Sequence, residues 1–279
     1  MDILQIKNLS KTYPSFKLDN VSFNLKLGYI MGFIGRNGAG KTTTLKTMLK
    51  FAYPENGEVY INGLDINKNE LEVKNVIGYV SGVEGFYARK KIKDVTNVTK
   101  RFFKTWNENL YKELLKKFNL DENKLIKNLS DGMKVKYQIA LAMCHDAKLL
   151  ILDEPTSGLD PVSRDELILL FQDYVSDGKH SILFSTHITS DLDKCADYIT
   201  YIKNGKIIKT SDIVSFKDDY FLISGKQEIL TQDLKEKIIG LHCHKFGFEG
   251  MILAKDKNNF SNCEISKPNL EDIMIHLER

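Results

Sequence analysis

The sequence predicts an α/β fold with a mainly parallel sheet, and two stretches carry that prediction. Gly28–Ile34 is apolar enough for a buried strand and leads through a glycine-rich loop into a helix. Leu149–Glu154 is an apolar strand that ends in two acids. Strands buried on both faces and polar groups at their carboxyl ends are typical of α/β proteins, in which ligands bind at that edge of the sheet.

The glycine-rich loop is GRNGAGKT, Gly35–Thr42, which fits the phosphate-loop pattern of Gly, four residues, Gly, Lys and Ser/Thr. Its glycines let backbone N–H groups point at phosphate oxygens, and the following helix adds its positive N-terminal end. Lys41 supplies a point charge and Thr42 a hydroxyl ligand for Mg²⁺. The loop therefore predicts a protein that binds a nucleoside triphosphate.

The residues before the loop predict two strands, 2–8 and 21–27, joined through a turn at Lys11–Ser15. Tyr13 in that turn could reach the far end of a bound nucleotide and stack on adenine. It could equally be an ordinary half-exposed tyrosine, and spacing alone leaves both interpretations open.

Residues from about 85 to 146 have apolar positions three and four apart, which predicts a helical subdomain. Its aromatic residues Phe102, Phe103 and Trp106 are expected to pack inside it. Ser130 is expected to cap a helix that opens at Leu129–Met133, because its hydroxyl can accept from N–H groups of the first turn.

The two acids after the second buried strand suit phosphate chemistry. Asp153 fits a Mg²⁺-organising group and Glu154 a base that activates water. A further buried strand, 181–185, ends near His187, which would reach the same crevice. A helix at 188–196, a strand at 198–202 and a hairpin into 206–210 are expected to complete this domain, residues 1–211.

Residues 212–279 alternate strand-like and helical pieces and predict a small α+β C-terminal domain. Neighbouring positions on a strand face opposite ways, so of His242, Cys243 and His244 only the two histidines could share a site. Even with Cys263 the spacing matches no common zinc pattern, and we expect no zinc site.

Composition narrows the class of protein. A net charge of +3 over 279 residues does not favour a nucleic-acid partner. Apolar runs are too short to cross a bilayer, and the N-terminus lacks the pattern of a signal peptide. The four cysteines are scattered. These features predict a cytosolic, reduced protein.

Several motifs now stand together in a fixed order, and the chain resembles the ATPase subunit of an ATP-binding-cassette transporter over residues 2–210. Their positions match the A-loop, Walker A, signature, Walker B, D-loop and switch histidine: Tyr13, Gly35–Thr42, Leu129–Met133, Leu149–Glu154, Ser157–Asp160 and Ser185–His187. The resemblance implies a phosphate-loop NTPase cassette with an antiparallel β subdomain and a helical subdomain.

The resemblance also assigns roles to residues. Glu154 and His187 would be catalytic, Thr42 and Asp153 would hold Mg²⁺, and Asp160 would belong to the D-loop. ATP would contact the A-loop and the phosphate loop through Tyr13, Gly35, Arg36, Asn37, Gly38, Ala39, Gly40, Lys41, Thr42 and Thr43. The signature residues Ser130, Gly132 and Met133 would act on the ATP of a second subunit.

Two positions depart from the family pattern. Gly82 stands where the family carries the Q-loop glutamine, so Ser81, Glu84 or a water would have to replace its contact. The signature is LSDGM instead of LSGGQ, so Asp131 brings a negative charge and Met133 cannot hydrogen-bond a ribose. Similar signatures occur in export-type cassettes that pair with separate six-helix permeases, and Pro268–Ile273 resembles the terminal helix of that branch.

One phosphate loop and one signature cannot face each other within a single cassette. The resemblance therefore implies a head-to-tail dimer, homo- or heterodimeric, with two ATP molecules at its interface. A separate integral-membrane permease would hold it on the inner face of the cell membrane, through the surface near residues 81–106. Hydrolysis would loosen the dimer, since γ-phosphate stabilises the closed pair.

Three functions remain open at this point. The first is a transport ATPase that exports a peptide, lipid or drug-like molecule. The second is a soluble cassette ATPase that acts on ribosomes or DNA, although such members usually carry two cassettes or long coiled coils. The third, suggested by Gly82 and Asp131, is a regulatory cassette of low activity.

Overall fold

Strands and helices alternate along most of the chain in the computed structural model, which describes residues 1–81 and 87–279. The strands, numbered in chain order, are β1 (Asp2–Tyr13), β2 (Phe16–Lys26), β3 (Ile30–Ile34), β4 (Asn56–Ile61), β5 (Leu64–Asp65), β6 (Ile77–Val80), β7 (Leu149–Asp153), β8 (Ser181–Thr186), β9 (Tyr198–Lys203), β10 (Lys206–Asp212), β11 (Tyr220–Gly225), β12 (Ile239–His244), β13 (Gly247–Leu253) and β14 (Glu264–Ser266). The helices are α1 (Lys41–Met48), α2 (Glu70–Val76), α3 (Ile92–Thr99), α4 (Glu108–Lys117), α5 (Asp131–Cys144), α6 (Pro161–Val175), α7 (Thr189–Cys195), α8 (Ile213–Asp218), α9 (Gln232–Lys237) and α10 (Leu270–Glu278).

The central sheet has the strand order β10-β9-β3-β8-β7-β6 over the described residues. Its strands run parallel except where β10 returns antiparallel to β9. Every residue of β3, β7 and β8 is buried, as expected for strands covered on both faces. The α/β prediction and its parallel sheet are confirmed.

Alternation along the central strands divides the core into two layers. Met31 and Phe33 of β3 pack toward the antiparallel sheet and α1, whereas Ile30 and Ile34 pack toward α5 and α6. Successive side chains of a strand point to opposite faces, so one short apolar strand supplies both layers. This is why the sequence shows an unbroken apolar run there.

A second sheet, entirely antiparallel, has the order β2-β1-β4-β5. The predicted antiparallel subdomain is confirmed, but the turn predicted at Lys11–Ser15 was placed too early. Strand β1 continues to Tyr13, which pairs with Phe16 across a two-residue turn. Pairing with β2 as far as Tyr13, and with β4 as far as Ser10, holds this end of β1 extended.

The described part of the predicted helical subdomain contains α3, α4 and α5. Its interior is tied by the Thr96 hydroxyl, which lies 3.0 Å from the Tyr111 hydroxyl and 2.8 Å from that of Tyr137. The prediction that Phe102 packs inside was wrong, because its side chain is 75% exposed. Phe103 does pack, with its ring stacked 3.7 Å from that of His145.

The C-terminal segment forms a third sheet with the order β12-β13-β11-β14, flanked by α10. Phe216, Met251 and Leu270 nevertheless belong to the same buried cluster as the helices beside the central sheet. This segment therefore shares a core with the rest of the chain, and the domain boundary at 211/212 stays a prediction.

The histidines of β12 do not assemble a metal cluster in the described part of the chain. The rings of His242 and His244 lie on the same face, 5.9 Å apart, and Cys243 is exposed. Over residues 1–81 and 87–279, no group of three or more His, Cys, Asp or Glu side chains is arranged to hold a metal ion. Nor does any helix in these ranges have the length and apolarity to cross a membrane.

Candidate nucleotide site

The phosphate loop occupies residues 35–40, between the end of β3 and the start of α1. Gly38 and Gly40 have φ angles of +82° and +113°, a region that favours glycine. A Cβ on Gly35 would lie 2.4 Å from the carbonyl oxygen of Ile202, so β9 packs directly against the loop. The loop glycines are thus required by backbone conformation and by close approach.

A cavity of about 740 Å³ opens over this loop. It is lined by Tyr13, Ser15, Phe16, Arg36, Asn37, Gly38, Gly40, Lys41, Thr42, Thr43, Glu154 and His187. The predicted residues Gly35, Ala39 and Asp153 lie beside this lining set. Ser15 and Phe16 were missed by sequence reasoning, and only the β1–β2 register, in which Phe16 pairs with Tyr13, brings them here.

Lys41 is 6% exposed and its ammonium group is surrounded by oxygens of the same chain. Its Nζ donates to the carbonyl oxygen of Gly35 at 2.7 Å and lies 3.4 Å from Glu154 Oε1. A buried charge of this kind requires such partners. The contacts hold the ammonium group at the loop, where an anion entering the cavity would meet it.

Thr42 and Asp153 are joined by a hydrogen bond between the ends of α1 and β7. The Thr42 hydroxyl donates to Asp153 Oδ2 at 2.7 Å, and the Ser185 hydroxyl donates to Oδ1 at 2.9 Å. Both carboxylate oxygens therefore have a fixed direction. The arrangement places a hydroxyl and a carboxylate side by side at the carboxyl edge of the sheet.

Glu154 has a φ of +53°, an uncommon backbone conformation for a residue with a side chain. Its N–H donates to the carbonyl oxygen of Ser185 at 2.9 Å, which anchors the turn after β7 to β8. Its Oε2 lies 2.7 Å from His187 Nδ1. The surrounding structure has to hold such a conformation, and the contacts with Ser185 and His187 do so here.

Tyr13 stands at the end of β1 and lines the cavity with a ring that is 40% exposed. Lys11 Nζ lies 5.7 Å from its ring centroid. An exposed ring face at the entrance is what stacking on a base requires. The structure therefore brings Tyr13, the loop, Glu154 and His187 to one cavity.

The signature residues stand elsewhere. Ser130 caps α5, and its hydroxyl accepts from the Met133 N–H at 3.2 Å, as predicted for an N-cap. A Cβ on Gly132 would lie 2.5 Å from Leu159 Cδ2, so the signature packs against the segment that precedes Asp160. None of Ser130, Gly132 and Met133 lines the cavity.

Asp160 begins α6 as its N-cap. Its Oδ1 accepts from the N–H groups of Ser163 at 3.0 Å and Val162 at 3.1 Å. These hydrogen bonds, that from Ser163 first, hold the pKa of the Asp160 carboxyl below its usual range. The side chain is therefore engaged in ordering the turn between β7 and α6.

Gly82 and Glu84 lie outside the described residues, so the replacement of the Q-loop glutamine contact by Ser81, Glu84 or a water stays a prediction. Tyr79, on the strand before them, packs against Phe51 with ring centroids 5.4 Å apart. Burial, together with the charge of Asp153, raises the pKa of Tyr79 to about 12.

The fold and the cavity define a phosphate-loop nucleotide-binding protein, and comparison with known proteins specifies the family. The model of the family "ABC transporter" matches residues 18–157. The bacitracin transport ATP-binding protein BcrA of Bacillus licheniformis is 36% identical over 210 residues, 74% of this chain and 69% of that protein. The lantibiotic transport ATP-binding protein SrtF of Streptococcus pyogenes is 34% identical over 74% of this chain and 89% of its own length.

Solved structures agree with these relatives. An ATP-binding subunit of an ABC transporter superposes with a TM-score of 0.70 at 26% identity, covering 77% of this chain and 92% of that one. The chain therefore belongs to the ABC transporter family. It is an ATP-binding and ATP-hydrolysing cassette subunit, which confirms the class that the motif order predicted.

Proposed function

We propose that two copies of this cassette, or one copy and a related cassette, hydrolyse ATP at their interface to drive a separate export permease. One observation carries the proposal. The phosphate loop, Glu154 and His187 meet at one cavity. The signature residues Ser130 and Gly132, which are expected to contact the γ-phosphate, do not line it. This separation supports a cavity that forms half of a site, with the signature of a second cassette as the other half.

Within the cavity, N–H groups of the loop and of the first turn of α1 would bind the phosphates. Lys41 would turn from Glu154 and the carbonyl oxygen of Gly35 to the β- and γ-phosphate oxygens. The Glu154 carboxylate, once released, would polarise the attacking water. His187 contacts the other oxygen of the Glu154 carboxylate. It would orient that carboxylate and steady the γ-phosphate.

The same geometry fits Mg²⁺ bound with the nucleotide. Thr42 and Asp153 offer a hydroxyl and a carboxylate oxygen 2.7 Å apart, and Mg²⁺ prefers oxygen ligands with some positions left for water and phosphate. When bound, the ion would neutralise charge on the phosphate oxygens. Ser185 would keep Asp153 in the orientation that this requires.

Tyr13 would stack on adenine, because its exposed ring lies at the edge of the cavity. Ser130 and Gly132 of a second cassette would close the cavity over the γ-phosphate, and Met133 would lie beside them. Asp160 would lie at the same interface, since Leu159 next to it packs on Gly132. We therefore expect ATP to favour the dimer and hydrolysis to release it.

The transported molecule is proposed from the relatives. BcrA is a bacitracin transport protein and SrtF a lantibiotic transport protein, and both names refer to peptide antibiotics. We propose export of a peptide-like substrate through a membrane permease, with this chain bound to the permease on the cytoplasmic side. The exposed Phe102 of the helical subdomain belongs to the surface predicted to receive the permease.

Affinity purification from native membranes tests the assembly. The Glu154→Gln variant with ATP serves as bait, and Lys41→Ala serves as the matched control that cannot form the closed pair. We expect an integral-membrane protein to co-purify with the first and less with the second. The proposal fails if no membrane protein is enriched, or if ribosomes or DNA are recovered instead.

A further inference from the structure

Two cationic side chains of the phosphate-loop motif, those of Arg36 and Lys41, line the cavity, and a carboxylate of this chain lies close to each. Lys41 Nζ lies 3.4 Å from Glu154 Oε1. Arg36 Nη1 lies 4.0 Å from Glu278 Oε2. Glu154 belongs to the proposed catalytic site, whereas Glu278 is in the last turn of α10, far away in the sequence. The C-terminal helix thus reaches the nucleotide loop.

Glu278 is held firmly in this position. The Tyr201 hydroxyl donates to its Oε1 at 2.5 Å, and Lys203 Nζ donates to the neighbouring Leu277 carbonyl oxygen at 2.5 Å. Tyr201 and Lys203 flank Ile202, the residue whose carbonyl oxygen packs on Gly35. The end of α10 is therefore attached to the strand that supports the loop.

The two partners differ in exposure. The Glu278 side chain is 14% exposed, but that of Arg36 is 67% exposed and lines the cavity. The Glu278 carboxylate is fixed, whereas the exposed Arg36 guanidinium can leave it for another anion. A phosphate is the stronger partner for a guanidinium, since it accepts charge-assisted and bidentate hydrogen bonds.

We propose that Glu278 is a positioning residue that competes with bound nucleotide for Arg36, so that the C-terminal helix lowers the affinity of the cassette for ATP. The inference rests on the proposed nucleotide site. While α10 stays docked, ATP has to displace Arg36 from Glu278. Any event that moved the end of α10 away from β9 would raise ATP affinity.

Calorimetric titration of the full chain with ATP and Mg²⁺ tests the competition. The Glu278→Gln variant removes the charge but keeps an acceptor for the Tyr201 hydroxyl. We expect it to bind ATP about two- to fivefold more tightly, the range of one exposed ion pair. The gain in affinity should vanish when Arg36→Gln is also present, since this double-mutant cycle isolates the interaction between Arg36 and Glu278. Glu271→Gln, at an exposed position of the same helix, is the matched control and should bind as wild type.

A purely structural role for Glu278 predicts the opposite sign, because a loosened loop binds ATP less well. Unchanged or weaker binding in Glu278→Gln, or a gain that persists with Arg36→Gln, overturns the proposal. If Glu278→Gln does not fold, Glu278→Asp withdraws the carboxylate by one methylene and should shift affinity in the same direction. Wild-type ATP affinity in Lys41→Ala would show instead that the nucleotide site itself is misplaced.

Discussion

At the scale of single residues, the proposed site consists of charges that already have partners. Lys41 is bound by the Gly35 carbonyl oxygen and lies close to Glu154, and Asp153 is bound by the Thr42 and Ser185 hydroxyls. These partners hold the charged groups in place until nucleotide takes over the contacts of Lys41. Their fixed geometry is the reason that single substitutions should have large and specific effects.

Replacing Lys41 with alanine should weaken nucleotide binding strongly. The substitution deletes the charge that the phosphates would meet and leaves Glu154 without its cation, so we expect the Kd for ATP to rise about ten- to a hundredfold. Fluorescence titration with a labelled ATP analogue measures it. Lys46→Ala, at an exposed position of α1, is the control and should bind normally. Tight binding by Lys41→Ala would contradict the role given to this residue.

At the scale of elements, the first turn of α5 packs against the segment that precedes α6. Gly132 lies in that turn of α5, where an added methyl group would meet Leu159 at 2.5 Å. Alanine stabilises a helix relative to glycine. At Gly132, an added methyl group should therefore favour the helix while it displaces Leu159. In variants at this position, ATPase activity therefore reports the displacement of Leu159, and thermal stability reports the helix.

We expect Gly132→Ala to lower ATPase activity about tenfold without lowering the melting temperature. The cause would be a displaced Leu159 and hence a displaced D-loop, since small errors of position are costly in catalysis. Steady-state assays and thermal unfolding measure the two effects. Adding Leu159→Val should restore part of the activity by making room, whereas Leu159→Val alone should change it little. Failure of the second substitution to help would refute the steric cause.

The other end of α5 carries His145, which is 2% exposed and stacks on Phe103. Burial lowers the pKa of His145 from 6.5 to about 4, although nearby carbonyl groups and Asp146 act in the opposite direction. The folded protein therefore disfavours a proton that the unfolded chain accepts. The free energy of unfolding should fall as the pH falls from about 6.5 toward about 4.

Urea unfolding at pH 7 and pH 5 tests this dependence. His145 alone should account for a loss of about 2 kcal/mol between the two pH values, since each unit of pKa difference is about 1.4 kcal/mol. In His145→Gln that part of the loss should disappear, even though the variant is less stable overall at pH 7. His242→Gln, on the exposed strand β12, should keep the wild-type loss. An unchanged pH dependence in His145→Gln would contradict the prediction.

At the scale of the whole molecule, the proposed dimer would complete the site with the signature surface of a second cassette. In the Glu154→Gln variant, hydrolysis should fall by about two to four orders of magnitude, the usual contribution of a general base, while ATP binding remains. The bound ATP should then trap a dimer. Light scattering during size-exclusion chromatography with ATP measures its mass. Glu113→Gln, the same change at an exposed site on α4, should stay active. An ATP-loaded Glu154→Gln monomer would contradict the sandwich arrangement.

The sequence predicted the buried central strands correctly but misplaced segments whose position depends on distant contacts. Fully buried strands such as β3 and β7 were recognised because both faces of a central strand require apolar residues. The end of β1 was misplaced and Phe102 was wrongly buried, since pairing and packing with distant residues decide those positions. Ser15 and Phe16 were missed for the same reason.

The sequence by itself determined the class of this protein, an ATP-hydrolysing cassette. Gly35–Thr42, Asp153–Glu154 and His187 are short motifs, and backbone conformation and charge restrict which residues can fill them. Only the tertiary structure decided which of them meet at one cavity and that the signature stays outside it. It alone brought Glu278 to Arg36, because that contact depends on the packing of α10 against β9, and no local pattern encodes a contact between such distant residues.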